Sequence, residues 1–181
     1  QSFAVRNPDY VVVVVRLQEL RQLKAGNHLG TNTDPFVELS LQSKFPLTFG
    51  DQKQRSSLKS NTTNPKWFPA ERFQFKVSYH HLHDTKIVLN ISHFLPVLAP
   101  VSIGDGVIFL KEYELGDMKK NMQYKLLDSG NGKQEGSCYV SVEVMSAEQA
   151  ANTQDHNIYE FQRWKGDWGT IDCFILTDPG R

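Results

Sequence analysis

Eight short runs of β-type residues, separated by turn-forming residues, constrain the fold of this chain more than any other feature. In most of them apolar and polar side chains alternate, as in strands with one face on a core and one in solvent. In the fourth run, for example, Phe73, Phe75 and Val77 share one face. We therefore predict an all-β fold, an eight-stranded antiparallel β-sandwich with a C-terminal extension. The predicted strands are Tyr10–Leu17, Phe36–Leu41, Gln52–Ser60, Glu71–Val77, Lys86–Ile91, Val107–Leu110, Met122–Leu127 and Ser137–Val144.

Five consecutive valines, Val11 to Val15, break the alternation in the first run. A strand without a polar face is usually covered on both sides. One possibility is that the C-terminal extension covers the second side. The other is that the valines simply form a buried central strand. We place the domain boundary after residue 145, with a short helix or linker at 146–155 and the extension continuing to 181. The aromatic residues of the extension are Tyr159, Phe161, Trp164, Trp168 and Phe174.

Charge and cysteine content exclude several classes of protein. Twenty basic and twenty acidic residues give a net charge of zero, so any attraction to an anionic partner must come from a local patch. The two cysteines do not make a disulfide framework, which favours a reducing compartment. We expect a cytoplasmic, peripherally membrane-associated module of a larger protein, with no nucleic-acid partner.

The sequence offers no anchor for catalysis. It has no Gly-x-Ser-x-Gly nucleophile elbow, and the segment from Gly130 to Lys133 is typical of a hairpin turn. His80, His81 and His83 lie close together, but a zinc site needs further converging ligands. We expect no enzyme activity, no cofactor and no metal.

Three landmarks occur in order along the chain: Thr33-Asp34-Pro35-Phe36, Asn64-Pro65-Lys66-Trp67 and Ile103-Gly104-Asp105. Their order and spacing resemble the skeleton of C2 domains over roughly residues 8 to 145. The resemblance implies a β-sandwich whose end loops bind membranes, usually through calcium. The single N-terminal strand and the closing C-terminal strand favour the circular variant called type II.

The resemblance also shows where calcium ligands are missing. Calcium-binding members use five aspartates from two end loops, because the ion needs six to eight oxygen ligands. Imidazole and alkyl groups do not replace carboxylates, and residues 92–102 contain no Asp or Glu. We therefore predict a calcium-independent domain. The family's ligand positions fall here on His28, Asp34, His93, Leu95 and Val101.

An apolar segment occupies the place of the second calcium loop. Its candidate contact residues are Phe94, Leu95, Val97 and Leu98. Such side chains can insert into a lipid headgroup layer, each gaining about 1.5–3 kcal/mol when fully buried. They can equally fold back on the sandwich or bind a protein partner, because an exposed apolar patch marks an interaction without naming its partner.

A basic run forms a second candidate surface. Period-two geometry places Lys53, Arg55 and Lys59 on one face, and Arg72 and Lys76 point outward from the neighbouring run. The resemblance implies phosphoinositide binding at such a face, and each cation adds about 1 kcal/mol near an anionic leaflet. Glu38 and Ser40 stand where the family carries partner positions, so half of the usual cluster is absent. The alternative is a solvated charged face.

The extension resembles the opening of a dysferlin-type domain. The resemblance rests on Tyr159-Glu160-Phe161-Gln162-Arg163-Trp164, Trp168-Gly169 and Leu176-Thr177-Asp178-Pro179. It implies a ferlin-like protein of membrane trafficking or exocytosis, while the plain alternative is a packed tail.

Two functions remain open at this stage. One is docking on anionic phospholipid membranes through the basic run and the apolar loop, and the other is protein interaction or scaffolding through the same loop. Salt distinguishes them, since only docking through the basic run weakens steeply with ionic strength.

Overall fold

The computed structural model describes residues 7–24, 33–128 and 130–153. Within them the chain forms eight strands, a 3-10 helix at Tyr79–Asp84 and one short α-helix. None of the helices in these ranges is long and apolar enough to cross a membrane. The strands are β1 (Tyr10–Arg21), β2 (Pro35–Ser43), β3 (Gln54–Arg55), β4 (Lys66–Ser78), β5 (Thr85–His93), β6 (Val101–Phe109), β7 (Met118–Leu127) and β8 (Gln134–Met145), and the helix is α1 (Ala147–Asn152).

The strands pair in the order β3-β2-β5-β6-β7-β8-β1-β4, and every pairing is antiparallel. β6 and β7 pair only at Asp105 and Leu127. The ladder therefore divides into a first layer, β3-β2-β5-β6, and a second layer, β7-β8-β1-β4. The predicted eight-stranded antiparallel sandwich is confirmed. The first and last strands lie side by side, as expected for the circular variant.

Alternation along the strands builds the core between the layers. Phe73, Phe75 and Val77 point inward as predicted, and Val37, Leu39 and Leu41 meet them from the first layer. Cys138 lies on the inward face of β8, where it is fully buried. Burial raises the pKa of the Cys138 thiol, so this cysteine is an inert core residue.

Both faces of β1 are buried. Val11, Val13 and Val15 belong to the main core, whereas Val12 and Val14 face outward and pack with Met145 and Ala150. Ala150 lies on α1, whose start is fixed by a capping box between Ser146 and Gln149. The helix at the start of the extension thus contributes to the second cover. The aromatic residues Tyr159, Phe161, Trp164, Trp168 and Phe174, together with the dysferlin-like segment 159–179, lie outside the described residues, and their roles stay predictions.

The predicted strand at 52–60 is much shorter in the structure. Beyond Arg55 the chain still runs beside β2, since Ser56 N donates to Val37 O at 2.7 Å and Lys59 N donates to Pro35 O at 3.0 Å. The return bond, however, goes from Val37 N to the Ser56 hydroxyl at 2.8 Å. A side chain thus takes the place of a main-chain acceptor and interrupts the ladder.

β6 begins six residues before its predicted start at Val107. Gly104 and Gly106 weaken the sequence signal for a strand, because glycine has no side chain to pack. The close approach of β7 explains why glycine stands here, since a Cβ on Gly106 would lie 3.1 Å from the Leu126 side chain.

A buried polar cluster joins the segment after β3 to β4. Glu71 is fully buried and accepts from Ser57 N at 3.0 Å and from the Ser57 hydroxyl at 3.2 Å. Trp67 Nε1 donates to the same hydroxyl at 3.0 Å. Because Ser57 runs beside the first layer and Glu71 lies in the second, the cluster closes one edge of the sandwich and positions the basic run.

Replacing Glu71 tests this closure. Glu71→Ala leaves the half-buried Ser57 N–H without its carboxylate acceptor, so we expect the free energy of unfolding to fall by about 3 kcal/mol in urea titrations. The exposed Glu112→Ala is the control and should change it by less than about 0.5 kcal/mol. Equal effects of the two substitutions would contradict the role of the cluster.

Candidate binding surfaces at the loop end

One end of the sandwich gathers three segments that are distant in the sequence, and Asp34 links them. Its carbonyl accepts from Phe94 N at 2.9 Å, and its carboxylate Oδ1 accepts from Asn61 N at 2.7 Å. Its own N–H donates to His93 Nδ1 at 2.9 Å. Thr62 N donates to Thr33 O nearby at 2.8 Å. We call this region, formed by residues 33–34, 61–65 and 93–101, the loop end.

The predicted calcium-ligand positions have other tasks in this structure. The Asp34 carboxylate holds the 61–65 loop, and His93 is buried with its Nδ1 occupied as an acceptor. Leu95 is half-buried and Val101 is exposed, while His28 lies outside the described residues. Across the described ranges, no group of three or more His, Cys, Asp or Glu side chains is placed to hold a metal ion. Calcium independence itself stays a prediction.

Two further carboxylates near the loop end do not converge on these positions. Asp128 follows β7, where backbone N–H groups of Gly130 and Asn131 hold its pKa below the usual range. Its other oxygen bonds Lys24 Nζ at 3.3 Å. Asp105 points outward from β6, and burial followed by the nearby Asp128 charge raises its pKa. Asp128 is thus a turn-stabilising residue, which agrees with the predicted hairpin at 130–133.

The apolar loop between β5 and β6 carries an exposed tip on a fixed base. Val97 is 93% exposed and Leu98 is 70% exposed, the largest values among its predicted contact residues. Phe94 and Leu95 are half-buried, and the Phe94 N–H is bonded to Asp34. The loop therefore presents two apolar side chains to the surroundings and keeps the other two on the sandwich.

The basic run is partly neutralised by one acid. Lys53 Nζ and Arg55 Nη2 each lie 3.5 Å from the Glu38 carboxylate, which is on the neighbouring β2. The Arg55 guanidinium also stands 4.6 Å from the centre of the Phe36 ring. Both cations are about half exposed, and their shared partner Glu38 places them together on the surface. Their combined charge is offset by Glu38 to a net value near that of one cation.

The other three predicted lipid-binding residues have contacts outside this pair. Lys59 lies with its Nζ 5.7 Å from the Trp67 ring centre, and burial lowers its pKa while Glu71 opposes that shift. Lys76 Nζ is 5.2 Å from the ring centre of Tyr10. Arg72 projects from the second layer, opposite Arg16 in the ladder. Three of the five cations thus lie on the segment beside the first layer and two lie on β4. The Gln52 side chain joins the two segments through bonds to the main chain of Lys76.

The histidine cluster at 80–83 also disperses. His81 stacks on Phe45 with ring centres 4.2 Å apart, and His83 Nε2 lies 3.0 Å from both the Tyr113 carbonyl and a Glu114 carboxylate oxygen. The side chains contact different partners, as expected for an ordinary surface segment.

Two exposed aromatic residues were missed by the sequence analysis. Phe68 is 92% exposed, where the register between β1 and β4 jumps from Leu17–Glu71 to Glu19–Lys66. Phe109 is 65% exposed at the end of β6. The signal for Phe68 was the following Pro69, which cannot donate in a ladder. For Phe109 the signal was alternation with the buried Ile108.

Comparison with known proteins gives one family and several similar structures. The sequence model of the C2 domain matches residues 11–127. A C2 domain of plant extended synaptotagmin 1 superposes with a TM-score of 0.62 at 23% identity, covering 78% of this chain and 98% of that one. A search among curated proteins found no match.

Larger proteins contain the same fold as a part. Human GIVD cytosolic phospholipase A2 gives a TM-score of 0.59 at 19% identity, with 76% of this chain and 17% of that chain covered. A structure of extended synaptotagmin 2 that spans its SMP domain and two C2 domains gives 0.55 at 18% identity, with 76% and 28% covered. At these identities the similarity concerns the fold alone, and the chain spans less than a third of these two proteins.

Substitutions at Asp34 test its structural role. Asp34→Ala removes the acceptor of Asn61 N, so we expect a loss of about 1 kcal/mol in the free energy of unfolding. Asp34→Asn keeps a carbonyl oxygen at the same place and should lose less than half as much. Urea titrations of both variants, without calcium, give the comparison. Equal losses would show that the negative charge, rather than the hydrogen bond, matters.

Proposed function

This chain belongs to the C2 domain family, and from that premise we propose that it is a non-catalytic module that docks on anionic phospholipid membranes without calcium. The observation that carries the proposal is the exposure of Val97 and Leu98 on a loop whose base is bonded to Asp34. We place the module in a larger cytoplasmic protein of membrane trafficking or exocytosis, in line with the resemblance of its C-terminal segment.

Insertion of the tip supplies most of the binding free energy. Complete burial of Val97 and Leu98 is worth about 1.5–3 kcal/mol each, and insertion to half that depth leaves about 1.5–3 kcal/mol in total. Pro96 and Pro100 flank the tip and reduce the entropy that the loop loses on binding. The hydrogen bond from Phe94 N to Asp34 O also reduces this entropy loss, because it already orders the base of the loop.

The basic run adds a smaller contribution to the binding free energy and helps to orient the module. Lys53 and Arg55 attract an anionic leaflet by about 1 kcal/mol each, and Glu38 cancels about one of these contributions. Arg55 pairs with Glu38, which is three residues along β2 from Pro35. Three strand residues span about 10 Å, so the two cations lie about that far from the loop end. That distance is close to the Debye length of about 8 Å at physiological salt. The charges thus orient the module more than they hold it.

Calcium has no built place in this mechanism. The ion needs about six to eight oxygen ligands with several carboxylates among them. At the predicted positions the described residues offer the Asp34 carboxylate, which already accepts from Asn61 N, and a His93 nitrogen used as an acceptor. These contacts support calcium-independent docking.

A protein-interaction module is the second candidate function. The exposed tip has only two large apolar side chains, which also fit a pocket on a partner protein. The fold is shared with proteins as different as an extended synaptotagmin and a phospholipase A2, so the fold does not choose between the two candidates.

Liposome sedimentation tests the docking proposal. We expect binding to liposomes that contain phosphatidylserine or phosphoinositide, with the same affinity in calcium and in chelator. The Val97→Ser/Leu98→Ser double variant should bind about 30-fold more weakly, since it loses about 2 kcal/mol of apolar burial. Phe109→Ser, at the opposite end of the sandwich, is the matched control and should bind like the native chain.

Three results would contradict the proposal. Binding that requires calcium would overturn the assignment of the ligand positions. Unchanged binding by the double variant would remove the tip from the membrane contact. Absence of binding to every liposome would favour the protein-interaction candidate.

Removing the negative charge of Glu38, which lies on β2 beside the basic run, should strengthen docking. Glu38→Gln frees Lys53 and Arg55 from their shared partner, so we expect roughly 5-fold tighter binding to anionic liposomes at low salt. The gain should vanish at high salt and on neutral liposomes. Glu112→Gln, which has the same charge change at another site, serves as the control. Weaker binding by Glu38→Gln would show that Glu38 positions the two cations instead of masking them.

A further inference from the structure

The side of the sandwich where β6 leaves β7 is an open strand edge. Their pairing ends at Asp105 and Leu127, yet β6 continues to Phe109. On its other side β6 pairs with β5, and Leu110 N donates to Thr85 O at 3.2 Å. Hydrogen-bonded pairs alternate in an antiparallel ladder, so the polar main-chain groups of Val107 and Phe109 point away from β5, toward the open edge.

Phe109 separates two surface hollows at this edge. The first, of about 400 Å³, is lined among others by Lys44, Lys86 and Lys111. The second, of about 380 Å³, is lined among others by Lys111, Lys119 and Tyr113. The exposed ring thus stands between two concave regions on an edge where main-chain groups face outward.

The charge around Phe109 is mostly positive. Lys86 Nζ lies 5.9 Å from the Phe109 ring centre, and Lys119 Nζ lies 4.4 Å from the Tyr113 ring centre. In the described part of the chain, no ion pair joins Lys86, Lys111 or Lys119 to an acid. The acids lining the two hollows are Asp84, which pairs with Lys44 at 3.4 Å, and Glu112.

This edge lies far from the loop end. β5 starts at Thr85, beside the first hollow, and ends at His93, directly before the apolar loop. Nine strand residues span about 27 Å, so the open edge lies about that far from the loop that carries Val97 and Leu98. A membrane bound end-on at that loop leaves the open edge free for a different molecule.

We propose that the open edge of β6 binds an extended acidic segment of a partner protein, which adds to the first layer as a further strand. Main-chain bonds to Val107 and Phe109 give the addition its geometry, as in other cases of strand addition. Acidic side chains on the peptide meet Lys86, Lys111 and Lys119, and an apolar side chain packs on the Phe109 ring.

Nuclear magnetic resonance titration of the isotope-labelled chain tests this site. The probe is a peptide of about eight residues that alternates Glu and Val, slightly longer than a typical strand. Shift changes should centre on residues 107–111, and amide exchange at Val107 and Phe109 should slow. A Lys-Val peptide should not bind, and a Glu-Pro peptide should bind more weakly because proline has no N–H to donate.

Variants then separate the site from general charge effects. Phe109→Ala and Lys111→Glu should each weaken binding of the Glu-Val peptide about 10-fold or more, whereas the exposed Lys66→Glu on β4 should leave it unchanged. The proposal is wrong if the probe does not bind at about 1 mM, if the three peptides bind alike, or if the shifts centre on Val97 and Leu98. It is also wrong if Phe109→Ala abolishes binding to anionic liposomes and spares the peptide, which would make this edge a lipid surface. Failure here leaves the docking function untouched, because that function depends on the opposite end.

Discussion

The double burial of β1 is the constraint on which the rest of the fold depends. A strand of five valines has no polar face to offer to solvent, so it must lie inside a layer and carry a cover. The structure meets both conditions, with β4 and β8 on its two sides and Met145 and Ala150 over Val12 and Val14. One of these neighbours is the closing strand, which returns beside the opening strand and brings the two ends of the domain together.

A single aspartate then organises the end of the sandwich that faces the proposed membrane. Asp34 uses its amide, its carbonyl and its carboxylate on three different segments. In a calcium-binding relative, a metal ion would draw such loops together through shared carboxylates. Here hydrogen bonds from the chain itself hold the loops together. The apolar loop consequently keeps a defined base while its tip stays exposed.

Alternation made most of the fold predictable from the sequence, because strands with one buried face show a period of two. It failed where a side chain or a glycine altered the ladder. The Ser56 hydroxyl replaces a main-chain acceptor and shortens β3, and Gly106 hides a strand that approaches β7 closely. Neither effect has a local signal, since each depends on a partner distant in the sequence.

The candidate sites were predictable to different degrees. For the apolar loop the sequence left exposure and folding back as alternatives, and the structure exposes Val97 and Leu98 while Phe94, whose N–H is bonded to Asp34 O, is half-buried. The five basic residues come from both layers, with Arg72 and Lys76 on β4, and Glu38 from β2 pairs with both Lys53 and Arg55. The register between strands decides which side chains lie near one another, and the amino-acid composition carries no information about that register.

The position of the two proposed contacts at opposite ends of the first layer has a mechanical consequence. A force applied between the apolar tip and a strand bound at the β6 edge runs parallel to β6, and the main chain from residue 98 to Phe109 carries it between the two contacts. Hydrogen bonds between β6 and the added strand lie perpendicular to such a pull, so they are sheared together instead of opening one after another. If both proposed contacts form, the domain carries tension along its strands from the membrane to the bound segment.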